Sequence, residues 1–203
     1  MVSDTFEEPK FDPNGRYRTV SELPNPAIAR VVEVASRKGV RLDIRTYQMS
    51  MRTPADAAQA ADAEVGQIVN PVLFVAFRPD GRLAPIVCLM SGSGEVDPKL
   101  LAAVTGESGL RAATPRETRE LTGFSIGEMP SVGYSRTVRV LMDQDLCPYQ
   151  WVWAFAGDEA LFRVTPGTLR MLANATVAPI SAAPWVVATQ PQMGRLLESP
   201  AGA

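Results

Sequence analysis

The carboxylates Asp143 and Asp145 stand two residues apart in "MDQDLCPY", at the end of a strand-like run. So spaced, two carboxylates can share a metal ion or divide the work of acid and base, and the same pattern also serves turns and caps. A second stretch, "SGSGEVDPK" (91–99), invites comparison with a phosphate loop. It lacks the Gly-Lys-Ser/Thr ending of that motif and the G-x-G-x-x-G spacing of a dinucleotide site. A strand-to-helix turn with Asp97 as N-cap accounts for it. The third, "LTGFSIGEMPSVGY" (121–134), holds three glycines and a proline with neither helical nor strand period. Gly123 serves as a helix C-cap. Gly127, Pro130 and Gly133 shape a loop whose backbone N–H and C=O groups a ligand can approach without a Cβ in the way.

The chain has no histidine, which excludes Ser-His-Asp and Cys-His nucleophilic catalysis and any imidazole metal site. Catalysis here must use backbone groups, carboxylates, lysine, hydroxyls or the substrate itself, so a backbone-built site is one of few options. Two cysteines, Cys88 and Cys147, are too few for a disulfide scaffold or a zinc site. Cys88 in "APIVCLM" reads as a small core residue. No metal and no cofactor is expected.

A net charge of −2 and a pI near 5.3 argue against broad duplex binding, and DNA is not an expected partner. A small contact to an RNA end remains open to Arg111, Arg116 and Arg119, or to Arg136 and Arg139, although solvated surface charge explains both groups. No apolar run reaches membrane-spanning length, and the acidic N-terminus lacks a signal pattern, so a cytoplasmic protein without membrane contact is expected.

The elements that must position these residues follow from capping and periodicity. Residues 1–24 read as a polar arm and 182–203 as a tail, leaving one domain over 25–181. Helices start at Asn25-Pro26, Thr53-Pro54, Asp97-Pro98, Thr114-Pro115 and Thr165-Pro166. Thr53 with Asp56 and Thr114 with Glu117 form capping-box patterns, and Gly39, Gly66 and Gly123 are the expected stops. Strand-like runs are "LDIRTYQM", "NPVLFVAF", "LAPIVCLM", "TVRVLMD", "WVWAFAG", "LFRVT" and a short "ATVAPI"; Asp80-Gly81 marks a hairpin between the second and third. Strands outnumber crossover helices, so the expected fold is α/β of the α+β type. Its sheet is mixed, largely antiparallel, partly barrel-like, with about six to seven strands.

"VGQIVNPVLFVAF", "LTGFSIGEMPSVGY", "VLMDQDL" and "WVWAFAG" fall in an order and spacing that resembles the YbaK/EbsC-like aminoacyl-tRNA deacylases, relatives of the editing domain of prolyl-tRNA synthetase. The resemblance covers about residues 26–180. It implies an ester hydrolase that removes a mischarged small amino acid in trans, with the 3′ end of aminoacyl-tRNA as partner and no metal or covalent nucleophile. It places the catalytic positions on Gly127, Asn70 and Asp143, and the substrate-binding positions on Pro130, Ser131, Gly133, Tyr134 and Gly157. Several positions depart from the pattern. The family's lysine after "QIV" is Asn70, followed by Pro71. The proline of its Gly-x-x-x-Pro loop is shifted to Pro130 or replaced by Ser131, and a frequent histidine is Tyr134. Asn70 retains hydrogen bonding without a lysine's reach or charge. The alternative is a non-catalytic member binding an aminoacyl or nucleoside-like ligand or a protein partner.

Overall fold

The structure is a computed structural model of the chain and describes residues 25–78, 81–134 and 138–182. The N-terminal arm, Asp80, Arg136 and the tail from 183 onward lie outside the described residues. Five helices, α1 (Pro26–Arg37), α2 (Pro54–Ala61), α3 (Pro98–Thr105), α4 (Pro115–Thr122) and α5 (Pro166–Ala173), each carry a proline in the first turn. Each starts where a side-chain oxygen meets the N–H groups that the first turn leaves over: Asn25, Thr53, Asp97, Thr114 and Thr165 all accept from them. At Thr53 and Thr114 the reciprocal bond from Asp56 or Glu117 completes a capping box.

The strands are β1 (Ile44–Thr46), β2 (Ile68–Phe77), β3 (Leu83–Ser91), β4 (Arg111–Ala112), β5 (Arg139–Asp143), β6 (Val152–Gly157), β7 (Ala160–Val164) and β8 (Thr176–Ala178). They make one mixed sheet of eight strands in the order β1-β7-β6-β2-β3-β5-β8, with β4 alongside β2. β1–β7, β2–β3, β2–β4 and β6–β7 pair antiparallel, whereas β2–β6, β3–β5 and β5–β8 pair parallel. The sheet is open, ending at β1 and β8. The strand beyond the expected six or seven is β4, whose two residues are too few to show a period. One further expectation fails locally: α2 stops at Asp62 (φ 51°), not at Gly66. Gly66 is packed under Tyr149, whose hydroxyl would lie 2.1 Å from a Cβ there.

α1 and α5 bury Val31, Ala35, Leu169 and Leu172 against one face of the sheet, among Val69, Val87, Ala154 and Phe162. On the other face Leu101 of α3 packs with Ile86, Cys88 and Leu141. Met51 and α2's Ala57 and Ala58 pack there with Ile68, Trp153, Phe155 and Leu161. No helix among the described residues is long and apolar enough to cross a membrane.

Candidate functional site

β2 changes neighbours along its length, and the change opens the site. Its start lies parallel to β6 (Ile68↔Trp153, Val69↔Ala154) and its end antiparallel to β4 (Phe74↔Ala112, Val75↔Arg111). From Asn70 to Val72 that edge of β2 has no strand beside it, although β3 pairs along the other edge. The Ala113 N–H donates to the Leu73 carbonyl at 2.9 Å, closing the far end of the gap. Because Leu73's carbonyl faces this edge, two-residue alternation turns Pro71's backbone toward it as well. A proline has no N–H to leave without a partner, so the gap tolerates Pro71 inside a long strand.

A cavity of about 320 Å³ lies at this gap, lined by β2 residues Asn70, Pro71, Val72 and Leu73, by Ala112, Ala113 and Thr118, by Met51 to Pro54, and by Ile126, Gly127, Met129 and Phe155. Most of these side chains are apolar and no carboxylate is among them. Arg52 is the single charged residue of the lining, and no carboxylate pairs with it among the described residues. The Asn70 side chain likewise has no hydrogen-bond partner among them.

The loop bearing Gly127 is held at both ends. At α4, the Thr122 hydroxyl donates to the Thr118 carbonyl at 2.6 Å and accepts from the Phe124 N–H at 3.1 Å, with Gly123 left-handed (φ 85°) as the C-cap. The Glu128 N–H donates to the Ser125 carbonyl at 3.1 Å, making the turn in which Gly127 takes φ 86°. Nothing lies within 4 Å of where a Cβ on Gly127 would sit. Farther on, the Ser131 N–H donates to the Phe155 carbonyl at 2.8 Å, and the Ser131 hydroxyl accepts from the Phe155 N–H at 3.0 Å.

Asn70 and Gly127 are therefore brought together, and the remaining expected positions are not. Asp143, fully buried at the end of β5, does not line the cavity. Its Oδ1 accepts from the Ile180 N–H at 3.5 Å, while Oδ2 has no partner. Burial, and then the neighbouring Asp145, push its carboxyl above the usual range. Asp145 accepts from the Ser181 hydroxyl at 2.8 Å, and no third ligand gathers with the pair among the described residues. Gly133 and Gly157 are packing glycines against α1. A Cβ on Gly133 (φ 91°) would meet Cβ of Arg30 at 2.9 Å, and one on Gly157 (φ 144°) would meet Nδ2 of Asn25 at 3.2 Å. Pro130 and Ser131 are buried and anchor the loop from behind. Tyr134 packs against the main core with its hydroxyl buried and unpartnered, and burial pushes its phenol upward. Cys88 is buried as expected, its thiol pushed up to about 12 by burial and then by Asp143.

Arg52, Thr118, Met129 and Phe155 escaped the sequence reading. Arg52 directly precedes the Thr53 capping box, a signal that fixes its place at a helix start but not what lies opposite. Phe155 lies in the strand-like run "WVWAFAG", which marks a strand and not a cavity, and it is core as well as cavity wall.

The model of the aminoacyl-tRNA editing domain matches residues 49–172, from the segment before Arg52 to α5. The chain belongs to the aminoacyl-tRNA editing domain family. A candidate trans-editing enzyme for prolyl tRNA synthetase, known from its crystal structure, is 39% identical with a TM-score of 0.70, over 79% of this chain and 100% of that one. A chain solved in work on grafting linear epitopes onto scaffold proteins is 34% identical with a TM-score of 0.70, over 78% of this chain and 99% of its own. A proline–tRNA ligase of Limosilactobacillus fermentum is 30% identical over 94 residues. That match takes in 46% of this chain and only 16% of the ligase. The matched editing domain contains every residue that lines the cavity.

Proposed function

We propose that the chain hydrolyses the ester of a mischarged small amino acid on tRNA, acting in trans through the unit 25–181. The observation that carries this reading is the cavity at the gap in β2, where Asn70, Arg52 and the left-handed Gly127 meet among apolar walls. Val72, Leu73, Met129 and Phe155 suit a small uncharged side chain, since the lining offers no carboxylate to a cationic one. The unpartnered Asn70 amide orients the substrate amine or ribose. Arg52 meets the terminal phosphate. Main-chain groups around Gly127, unobstructed by a Cβ, hold the ester carbonyl as negative charge develops on it. Water supplies the hydroxyl to the acyl carbon, the ribose oxygen takes the proton, and free amino acid and tRNA leave.

A second reading, ligand binding without turnover, is favoured by one feature: an asparagine stands where the resemblance implies lysine. Incubating purified protein with a panel of mischarged tRNAs separates the two, with Asn70→Lys and Gly127→Ala alongside. Hydrolysis by wild type of at least one mischarged tRNA, reduced in Gly127→Ala, is the expected result. A wild type no faster than buffer across the panel sinks the enzyme reading, and activity gained only in Asn70→Lys supports the binder.

A further inference from the structure

Four side chains outside the cavity form an alternating stack of guanidinium and indole groups. The Arg45 guanidinium lies 5.2 Å from the centroid of the Trp153 ring, and that of Arg163 lies 5.8 Å from Trp153 and 5.1 Å from Trp151. Strand register explains the stack. Trp153 is the cross-strand partner of Arg163, and Arg45 is the partner of Leu161, two residues before Arg163 on the same side of β7. Trp151, Trp153 and Phe155 alternate along one face, and Phe155 lines the cavity. Trp153 shares its apolar cluster with Phe155 and Met51, both cavity residues. The stack thus runs outward from the cavity, at roughly 7 Å for each two-residue step along the strand.

We propose that this Arg45–Trp153–Arg163–Trp151 stack is the docking track for the single-stranded 3′ end of tRNA leading into the cavity. The identity of the occupant rests on the editing reading above; the surface chemistry points the same way. A guanidinium lying over a ring keeps its edge N–H groups for phosphate oxygens, and indole faces take bases of any sequence. Trp151 is 38% exposed whereas Trp153 is 5% exposed, so the outer indole is the open one. Arg163 has no carboxylate partner among the described residues, and Arg45 has Asp43 at 3.5 Å. Of the arginines singled out in the sequence, Arg111 pairs with Glu117, Arg116 with Glu120 and Arg139 with the Thr105 carbonyl, whereas Arg119 has no side-chain partner among the described residues. With a net charge of −2 the contact is local, so its salt dependence is shallow.

The probe is an uncharged acceptor-stem minihelix ending in a single-stranded CCA, titrated by fluorescence anisotropy against wild type, Arg163→Gln, Arg163→Glu and Trp151→Ala at two salt concentrations. Arg163→Gln is expected to flatten the slope of log affinity against log salt by about 0.7, as for one phosphate contact on a single strand. Arg163→Glu should weaken binding more than Arg163→Gln. Trp151→Ala should weaken it about fivefold to a hundredfold, the range for one base–aromatic stack. Wild-type affinity in all three variants, or no binding by wild type, overturns the proposal and makes the stack packing alone. The test needs no hydrolysis: variants that bind normally leave the ester-cutting reading standing, and an inactive protein that binds through the stack leaves this one standing.

Discussion

Ser131 and Phe155 exchange two hydrogen bonds, amide to carbonyl at 2.8 Å and amide to hydroxyl at 3.0 Å, so the loop continues the side of β6 where β2 has turned away. The serine hydroxyl takes the place of a strand carbonyl. Ser131→Ala removes that acceptor and leaves the Phe155 N–H buried without a partner, a loss of about 1–3 kcal/mol. Urea unfolding should show it as a lower midpoint at unchanged slope. A midpoint equal to wild type would mean that the loop is not held by this pair.

Two glycines with the same backbone hand should answer differently to alanine. Gly127 (φ 86°) has open space where a Cβ would stand, so Gly127→Ala meets only left-handed strain, roughly 1–2 kcal/mol. Gly133 (φ 91°) adds a contact at 2.9 Å with Cβ of Arg30 and one at 3.0 Å with its backbone carbon. Gly133→Ala should therefore be the more destabilising of the two in thermal unfolding. Equal losses would show that α1 yields to the added carbon.

Asp143 makes stability depend on pH in a stated direction. Its carboxyl is raised by burial and by Asp145, so the folded state holds the proton at a pH where the unfolded chain, near 3.8, has released it. Its contribution is complete below that unfolded value and is lost as pH rises through the raised folded one. Asp143→Asn cannot release a proton, so the variant should gain on wild type as pH rises from about 4 toward neutrality. Unfolding midpoints of both proteins over that range test this, and a difference that stays constant with pH refutes it.

Local chemistry was legible in the sequence and juxtaposition was not. The helix starts at Asn25, Thr53, Asp97, Thr114 and Thr165 follow from a side chain and the N–H groups within three residues of it, so no distant partner can overrule them. The site depends on which strand lies beside β2 at each residue. That is settled by the paired registers of β4 and β6, and β4 itself is two residues long. Gly127, Gly133 and Gly157 look alike in sequence, yet only the first faces open space; the others receive α1. Charge behaves the same way. Arg116 and Glu120 sit four apart on one helix and pair, as sequence alone would suggest. Arg45 and Arg163 are distant in the chain and meet only across β1, β7 and β6.

Arg52 is the one charge in the cavity lining, and its removal should act on binding rather than on turnover. If it holds a phosphate of the substrate in ground and transition states alike, Arg52→Ala raises KM for mischarged tRNA and leaves kcat nearly unchanged. A charge-assisted hydrogen bond of about 1.5–3 kcal/mol corresponds to a rise of roughly tenfold to a hundredfold. Arg52→Lys keeps the charge without the planar fork and should recover part of the loss. Raising the salt should narrow the gap between wild type and Arg52→Ala, because screening weakens only the charged protein's contact. A KM that does not move in Arg52→Ala, or a loss confined to kcat, would take Arg52 out of phosphate binding and leave Asn70 and the Gly127 loop as the groups that hold the substrate.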